Sequence, residues 1–331
     1  MTSALLAEVT RGGIVESRHT GIYVVVDAKG RLIDGGGDVN RAIFPRSAVK
    51  AIQALPFVES GAAAAFGFGN KELALACASH SGEPTHADLA QSMLAAAGLS
   101  EQAMECGVHW PTNLQAAAAL SEAHSRPSQL HNNCSGKHAG FLCTCVHEGD
   151  APSGYVGKQH RQQERVRVAM EEVTGARHDP ALAGVDGCSI PTYAAPLQAL
   201  AHGFARMATG EEFSTARANA AQALIQACMA EPFMVAGTGR ACTRLMQAAP
   251  IFAKTGAEGV YCAAIPEMGL GIALKIDDGA TRASEVAIAA LLAKHSGKSG
   301  DALMPFTRQT LSNWNGIEVG QVRAAGVLPV S

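Results

Sequence analysis

Hydrophobic and polar positions follow one rhythm at the ends of this chain and another in its middle. Gly21-Ile22-Tyr23-Val24-Val25-Val26-Asp27 is a β-branched and aromatic run, Lys29-Gly30 punctuates it as a turn, and Arg31-Leu32-Ile33 resumes the extended pattern. An opening β-hairpin is predicted there. Toward the other end, residues 260–265 and 271–276 flank a Pro-Gly-rich link and stop at Asp277-Asp278-Gly279, which predicts two more strands. Residues 284–294, rich in Ala and Leu behind Ser284 as a cap, predict a helix returning across the sheet. The middle is Ala-rich and helical in period over 86–97, 159–173 and 214–229, with loops that carry Gly, Asn, Cys and His.

Strands at both ends and helices between them predict an α+β fold: one antiparallel sheet built from both chain ends, with flanking helices and a helical lobe beside it. The expected sheet lobe takes about residues 1–45 and 235–331, the mainly helical lobe 46–234, and the two form a single unit. No internal repeat or low-complexity linker interrupts this plan, and the Ala62–Ala65 run is too short to count as one.

With 47% of its 331 residues hydrophobic, the chain has enough apolar surface for a sizeable core. The formal net charge is −3 and no Lys/Arg run forms a cationic stripe, so neither nucleic acid nor a membrane surface is expected as a partner. The first residues reach Glu8 and Arg11 before any apolar segment of secretory length develops. The longest apolar stretches, 22–26 and 288–293, fall well short of the roughly 20 residues of a membrane span. A soluble, cytoplasmic protein is expected. Nine cysteines at irregular spacing suit a reducing compartment, and Cys77, Cys228 and Cys262, set in apolar runs, read as packing thiols.

Three short stretches carry candidate chemistry: Ser47-Ala48-Val49-Lys50, Ser79-His80-Ser81 and Lys254-Thr255-Gly256. Pro45 suits the first turn of a helix, where an amide hydrogen would lack a partner, so Ser47 is placed near a helix start with Lys50 on the same face. A lysine acts as a base at neutral pH only by losing its proton, against an unperturbed pKa of about 10.4. Burial, the positive end of a helix dipole and a neighbouring cation each favour the neutral amine. Taken alone, Ser-x-x-Lys more often marks a solvated helix lysine, Lys-Thr-Gly an ordinary turn, and the two serines around His80 a cap on the helix that begins near Asn70. Their order along one chain changes that balance. In penicillin-recognising serine hydrolases, Ser-x-x-Lys supplies the nucleophile, Ser-x-Asn a relay and Lys-Thr-Gly a wall of the oxyanion pocket. The present chain has Ser81 where that pattern has Asn, and Ser79 with Lys254 makes a second Ser/Lys pair. A Ser/His/Asp arrangement through His80 is disfavoured, because adjacent residues of one loop rarely aim at each other.

Two further loops, Asn132 to Gly140 and Asp186 to Pro191, are polar and Gly-bearing. Cys134 and Lys137 stand three apart, which aims both at one space without making a Cys-x-x-Cys ribbon, so spacing alone favours no metal. Two thiolates and a neutral amine would suit zinc and leave a fourth position open.

Together, Arg11-Gly12-Gly13-Ile14-Val15-Glu16-Ser17, Arg46-Ser47-Ala48-Val49-Lys50, Cys77-Ala78-Ser79-His80-Ser81, Asn133-Cys134-Ser135-Gly136-Lys137-His138 and Asp186-Gly187-Cys188 resemble the Rhizobium etli type L-asparaginases. The resemblance runs from about residue 9 to 280, and five motifs in order make it specific. It implies a fold akin to serine β-lactamases and glutaminases, a homodimer, and hydrolysis of L-asparagine to L-aspartate and ammonia. It implies Ser47 with Lys50 as one catalytic pair and Ser79 with Lys254 as the other. Cys134, Lys137 and Cys188 match the family's zinc site, where the metal assists substrate binding rather than the chemistry. The chain departs from the family at Thr255 and in ending earlier.

Charges beside these motifs, Arg46 and Asp186, suit the α-carboxylate and α-amino group of an amino-acid substrate, although Asp186 equally suits a role orienting Lys137. Competing functions are a glutaminase or broader amidase, since one methylene changes specificity by only about 1–3 kcal/mol. A β-lactam hydrolase comes next, then a non-catalytic amino-acid or zinc-binding protein.

Overall fold

The computed structural model describes residues 2–328; residue 1 and residues 329–331, the outer limits of the expected sheet lobe, lie outside it. Two compact units divide the chain. The first holds the residues up to 48, 194–211 and those from 245 onward; the second holds 49–193 and 212–244.

The first unit is built on an eight-stranded sheet. Its strands run in the order Arg308–Ser312, Glu318–Ala324, Ala4–Arg11, Ile14–Asp27, Leu270–Ile276, Val260–Ile265 and Phe252–Thr255, while Leu32–Gly36 pairs with Ile14–Asp27 off this path. Every pairing is antiparallel. The two ends of the sequence meet where Val25 stands opposite Ile272. The expected hairpin is present: Asp27 Oδ1 accepts from the Lys29 and Arg31 amides at 3.0 and 2.9 Å, closing the turn through its side chain. Strand Val260–Ile265 is buried at every position, as a strand covered on both faces must be, and helices Leu197–Thr209 and Thr281–His295 both pack against it. Leu197–Thr209 also lies so close to Leu270–Ile276 that a Cβ at Gly271 would stand 1.9 Å from the Ala201 carbonyl oxygen.

The sheet is wider than the sequence pattern predicts. Residues 14–20 alternate between exposed and covered positions and are mostly polar, as is Arg308–Ser312, while Gly, Gln and Arg break up the valines of Glu318–Ala324, so no hydrophobic run announces them. The C-terminal helix starts at Thr281, before the expected cap; Ser284 lies inside its first turn, and its hydroxyl donates back to the Thr281 carbonyl at 2.9 Å.

The second unit is helical. Pro84–Ala96 packs on Ser135–Glu148, and Thr215–Ala230 packs on Asn70–Ala76. Ser214 caps its helix, accepting from the Arg217 amide at 3.3 Å. Helix Ser135–Glu148 is buried from Ser135 through Cys145, which makes it the core helix of this unit. All nine cysteines are buried, Cys77, Cys228 and Cys262 among them. No helix among the described residues is long and apolar enough to cross a membrane.

Just beyond the core helix, Asp150, whose side chain is 5% exposed, accepts from Arg165 at 2.5 Å and Arg161 at 3.0 Å. Burial raises the Asp150 pKa, but the two arginines outweigh it and hold the carboxyl below its ordinary value. A depressed folded-state pKa contributes stability that is present above the unfolded pKa and is lost as pH falls through the folded one. Asp150→Asn is therefore expected to cost about 1–3 kcal/mol at neutral pH, with the difference from wild type shrinking in acid. Urea melts at a series of pH values measure both.

Candidate active site

Pro45 leads into a 3₁₀ turn, Arg46–Val49, that passes into the short helix Lys50–Gln53. Arg46 has φ 51°, in the left-handed region that non-glycine residues avoid, at a cost of order 1–3 kcal/mol. The strained residue directly precedes Ser47, which is half-buried. Within the same unit, Gly256 packs on this turn: a Cβ there would stand 2.7 Å from the Pro45 carbonyl oxygen and 3.2 Å from the Ala48 nitrogen. The glycine of Lys254-Thr255-Gly256 thus makes room for the backbone that carries Ser47. Lys254 and Thr255 end strand Phe252–Thr255, and Lys254, with no exposed surface, donates to the Thr255 carbonyl at 2.9 Å.

In the second unit, helix Asn70–Ala76 ends at Cys77 before the serine motif, so neither serine caps it. Ser79 is buried and its amide donates to the Val235 carbonyl at 2.9 Å. His80 is wholly buried. Its Nδ1 accepts from the Gly82 amide at 3.1 Å, so Nε2 carries the proton and donates to Ser135 Oγ at 2.9 Å. Burial first, then the nearby His86 and Lys50, hold its pKa well below the usual histidine value. His80 is a neutral strut between two motifs.

Lys50, also without exposed surface, donates to the Ala78 carbonyl at 2.5 Å, the Asn133 carbonyl at 3.4 Å and Cys134 Sγ at 3.0 Å. Asn132 shapes the loop that delivers Cys134: its Oδ1 accepts from the Cys134 amide at 2.9 Å, and its Nδ2 donates to the carbonyls of Cys106 and Gly107 at 2.9 and 3.0 Å. One turn along the core helix, Lys137 donates to Cys188 Sγ at 2.9 Å. Cys188 is held by a tight hairpin in which the Asp186 amide donates to the Ile190 carbonyl at 2.9 Å and Ser189 takes φ 74°. A hydrogen bond from Cys188 and the two lysine charges outweigh burial and push the Cys134 thiol far down, whereas the same bond and burial push Cys188 up. Burial disfavours the Lys137 ammonium, but Cys188, Cys134 and Asp186 outweigh it and raise its pKa.

Lys50, Cys134, Cys188 and Lys137 therefore form one buried chain of amines and thiols, with Asp186 adding to the field at its far end. Two sulfurs and an amine converge here, a donor set that fits borderline-soft zinc once the amine is neutral. Among the described residues no group of three or more His, Cys, Asp or Glu side chains could hold a metal, so a site at this place needs Lys137 as its third ligand. Sequence reasoning missed the Ala78 and Asn133 carbonyls that hold Lys50, because backbone acceptors leave no residue-type signal. It also missed the His80–Ser135 strut, although both residues lie in motifs it had marked.

The model of the family described as L-asparaginase II matches residues 7–324. This chain belongs to the L-asparaginase II family. No curated protein matches it. Among solved structures, it is similar to Mglu in its native form, with a TM-score of 0.48 at 15% identity over 84% of this chain. The matched part spans 65% of the Mglu chain. It is also similar to a β-lactamase from Mycobacterium bovis, with a TM-score of 0.43 at 14% identity over 83% of this chain and 95% of the other.

The thiol and amine loop of this family member depends on one close approach. A Cβ at Gly136 would stand 2.3 Å from both the Leu75 carbonyl oxygen and Leu75 Cγ, so Asn70–Ala76 seats directly on the start of the core helix. Gly136→Ala is expected to destabilise the protein by about 3 kcal/mol through overpacking at that contact. A lower denaturation midpoint with an unchanged m-value measures it.

Proposed function

We propose that this member of the L-asparaginase II family is of the Rhizobium etli type and hydrolyses L-asparagine to L-aspartate and ammonia through a Ser/Lys acyl-enzyme mechanism. The observation that carries the reading is the environment of Lys50: a fully buried amine, three residues after Ser47, bound to the carbonyl of the residue before Ser79 and to Cys134. A lysine kept for solubility would have its amine in water.

In this mechanism Lys50 takes the proton of the Ser47 hydroxyl, and Ser47 Oγ attacks the side-chain amide carbon of asparagine. The C–N bond breaks as Ser79, paired with Lys254, delivers a proton to the leaving nitrogen; ammonia departs and a β-aspartyl ester remains on Ser47. Water then cleaves the ester by the reverse sequence and restores the serine. Arg46 and Asp186 serve the α-carboxylate and α-amino group of the substrate. Cys134, Lys137 and Cys188 would hold zinc, which when bound supplies positive charge that assists substrate binding. The working protein is a cytoplasmic homodimer in this reading.

Ammonia release from L-asparagine and L-glutamine, by wild type and Ser47→Ala, tests it. Asparagine is expected to be the faster substrate, and Ser47→Ala is expected to reduce release by at least about 10³-fold. Faster release from glutamine would change the substrate, and release undiminished by Ser47→Ala would reject the mechanism. In the same preparation, competition with a chromophoric chelator is expected to show one zinc per chain, weakened by at least about 10²-fold in Cys188→Ala.

A further inference from the structure

The segment that carries Ser79 is tied along its length to residues 233–238. The Ser79 amide donates to the Val235 carbonyl at 2.9 Å, and His86 Nε2 donates to the Phe233 carbonyl at 3.0 Å. His80 stacks on His86 with centroids 4.7 Å apart, and His86 stacks on Phe233 at the same separation. Between these ties stands Glu83. Its Oε1 accepts from the Ser81 hydroxyl at 2.6 Å and the Thr238 amide at 2.8 Å, and its Oε2 accepts from the Thr238 hydroxyl at 2.7 Å.

Glu83 occupies the N-cap of helix Pro84–Ala96, yet its side chain makes no capping bond. It reaches instead across the serine loop. Gly237 confirms how closed this arrangement is: its φ is +102°, and a Cβ there would stand 2.0 Å from Ser81 Oγ and 2.5 Å from Glu83 Oε1. The space a side chain would need is filled by the clamp itself. Burial raises the Glu83 pKa, but the bonds from Ser81 and Thr238 outweigh it and keep the carboxyl below its ordinary value, as a carboxylate that only accepts should be.

We propose that Glu83 is a positioning residue for the reaction: it joins Ser81 to the Gly237–Thr238 turn and so fixes the Ser79 hydroxyl from both sides. The inference rests on the role assigned to Ser79 above. Glu83 acts through hydrogen-bond geometry, not through charge at the substrate. A glutamine meets the same demands, because its carbonyl oxygen accepts both Oε1 bonds and its amide donates to the Thr238 hydroxyl, which can accept. An alanine meets none.

The test compares Glu83→Gln with Glu83→Ala in the full chain, reading asparagine turnover and amide hydrogen exchange together. Glu83→Gln is expected to keep kcat within about three-fold of wild type, while Glu83→Ala lowers kcat by about ten- to a hundred-fold with KM changed far less. Exchange in Glu83→Ala is expected to rise in the peptides holding residues 79–81 and 235–238 and to stay unchanged elsewhere. Gly237→Ala, which pushes on the clamp from the opposite side, should reproduce both effects and carries the test if Glu83→Ala does not fold. A Glu83→Gln as damaged as Glu83→Ala would overturn the proposal in favour of a charge role. A Glu83→Ala with normal kcat per folded molecule, or with unchanged local exchange, would overturn it outright. If the wild type releases no ammonia, the assignment of Ser79 falls, and the exchange pattern still decides whether Glu83 holds the loop.

Discussion

Burial of the Lys50 amine is the constraint on which the rest of the second unit depends. An amine removed from water costs free energy unless hydrogen bonds satisfy it. Lys50 has them, in the Ala78 and Asn133 carbonyls and the sulfur of Cys134. Those partners come from two separate stretches of the chain, and each must be held in place for the amine to stay inside. Asn132 braces the Cys134 loop, His80 ties the serine motif to Ser135, and Gly136 lets Asn70–Ala76 seat on the core helix. The polar loops are therefore as firmly specified as the apolar core.

The same constraint explains why a second lysine is buried one turn away. The Cys134 thiol is held far down beside Lys50, its bond with Cys188 pushes that thiol up, and Lys137 completes the chain. With the amines at the two ends and both sulfurs between them, Lys50 and Lys137 are kept apart. This order suits a metal-free network and also supplies the donors that zinc prefers, so loading the site with metal requires proton release from the same groups. In the first unit the Ser47 turn obeys a different rule, set by sterics: a strained Arg46 and a glycine at 256 let two backbone segments pack without side chains between them.

Much of this was legible in the residues. Strands 260–265 and 270–276 announced themselves as apolar runs, and the helices of the middle region by their Ala-rich helical period. The outer strands did not, since polar residues interrupt each of them. Within the site, residue types at fixed spacing gave Ser47, Lys50, Cys134 and Lys137, the resemblance added Cys188, and the fold brings Lys50, Cys134, Cys188 and Lys137 into one chain. What the pattern could not give was the set of backbone carbonyls around Lys50 and the carboxylate of Glu83, whose importance lies in where the chain folds it. Ser81 shows the same limit: the sequence marked it as a departure from Ser-x-Asn, and its partner Glu83 becomes apparent only when residues 81 and 238 are seen on one carboxylate.

The central claim is that Ser47 and its lysine form an acyl-enzyme. The most direct measurement is acid quench of the wild type during turnover of L-asparagine, followed by peptide mapping of the trapped adduct by mass spectrometry. The account predicts a β-aspartyl ester on the peptide bearing Ser47. An ester on Ser79 in its place, or steady ammonia release with no adduct on either serine, would contradict it.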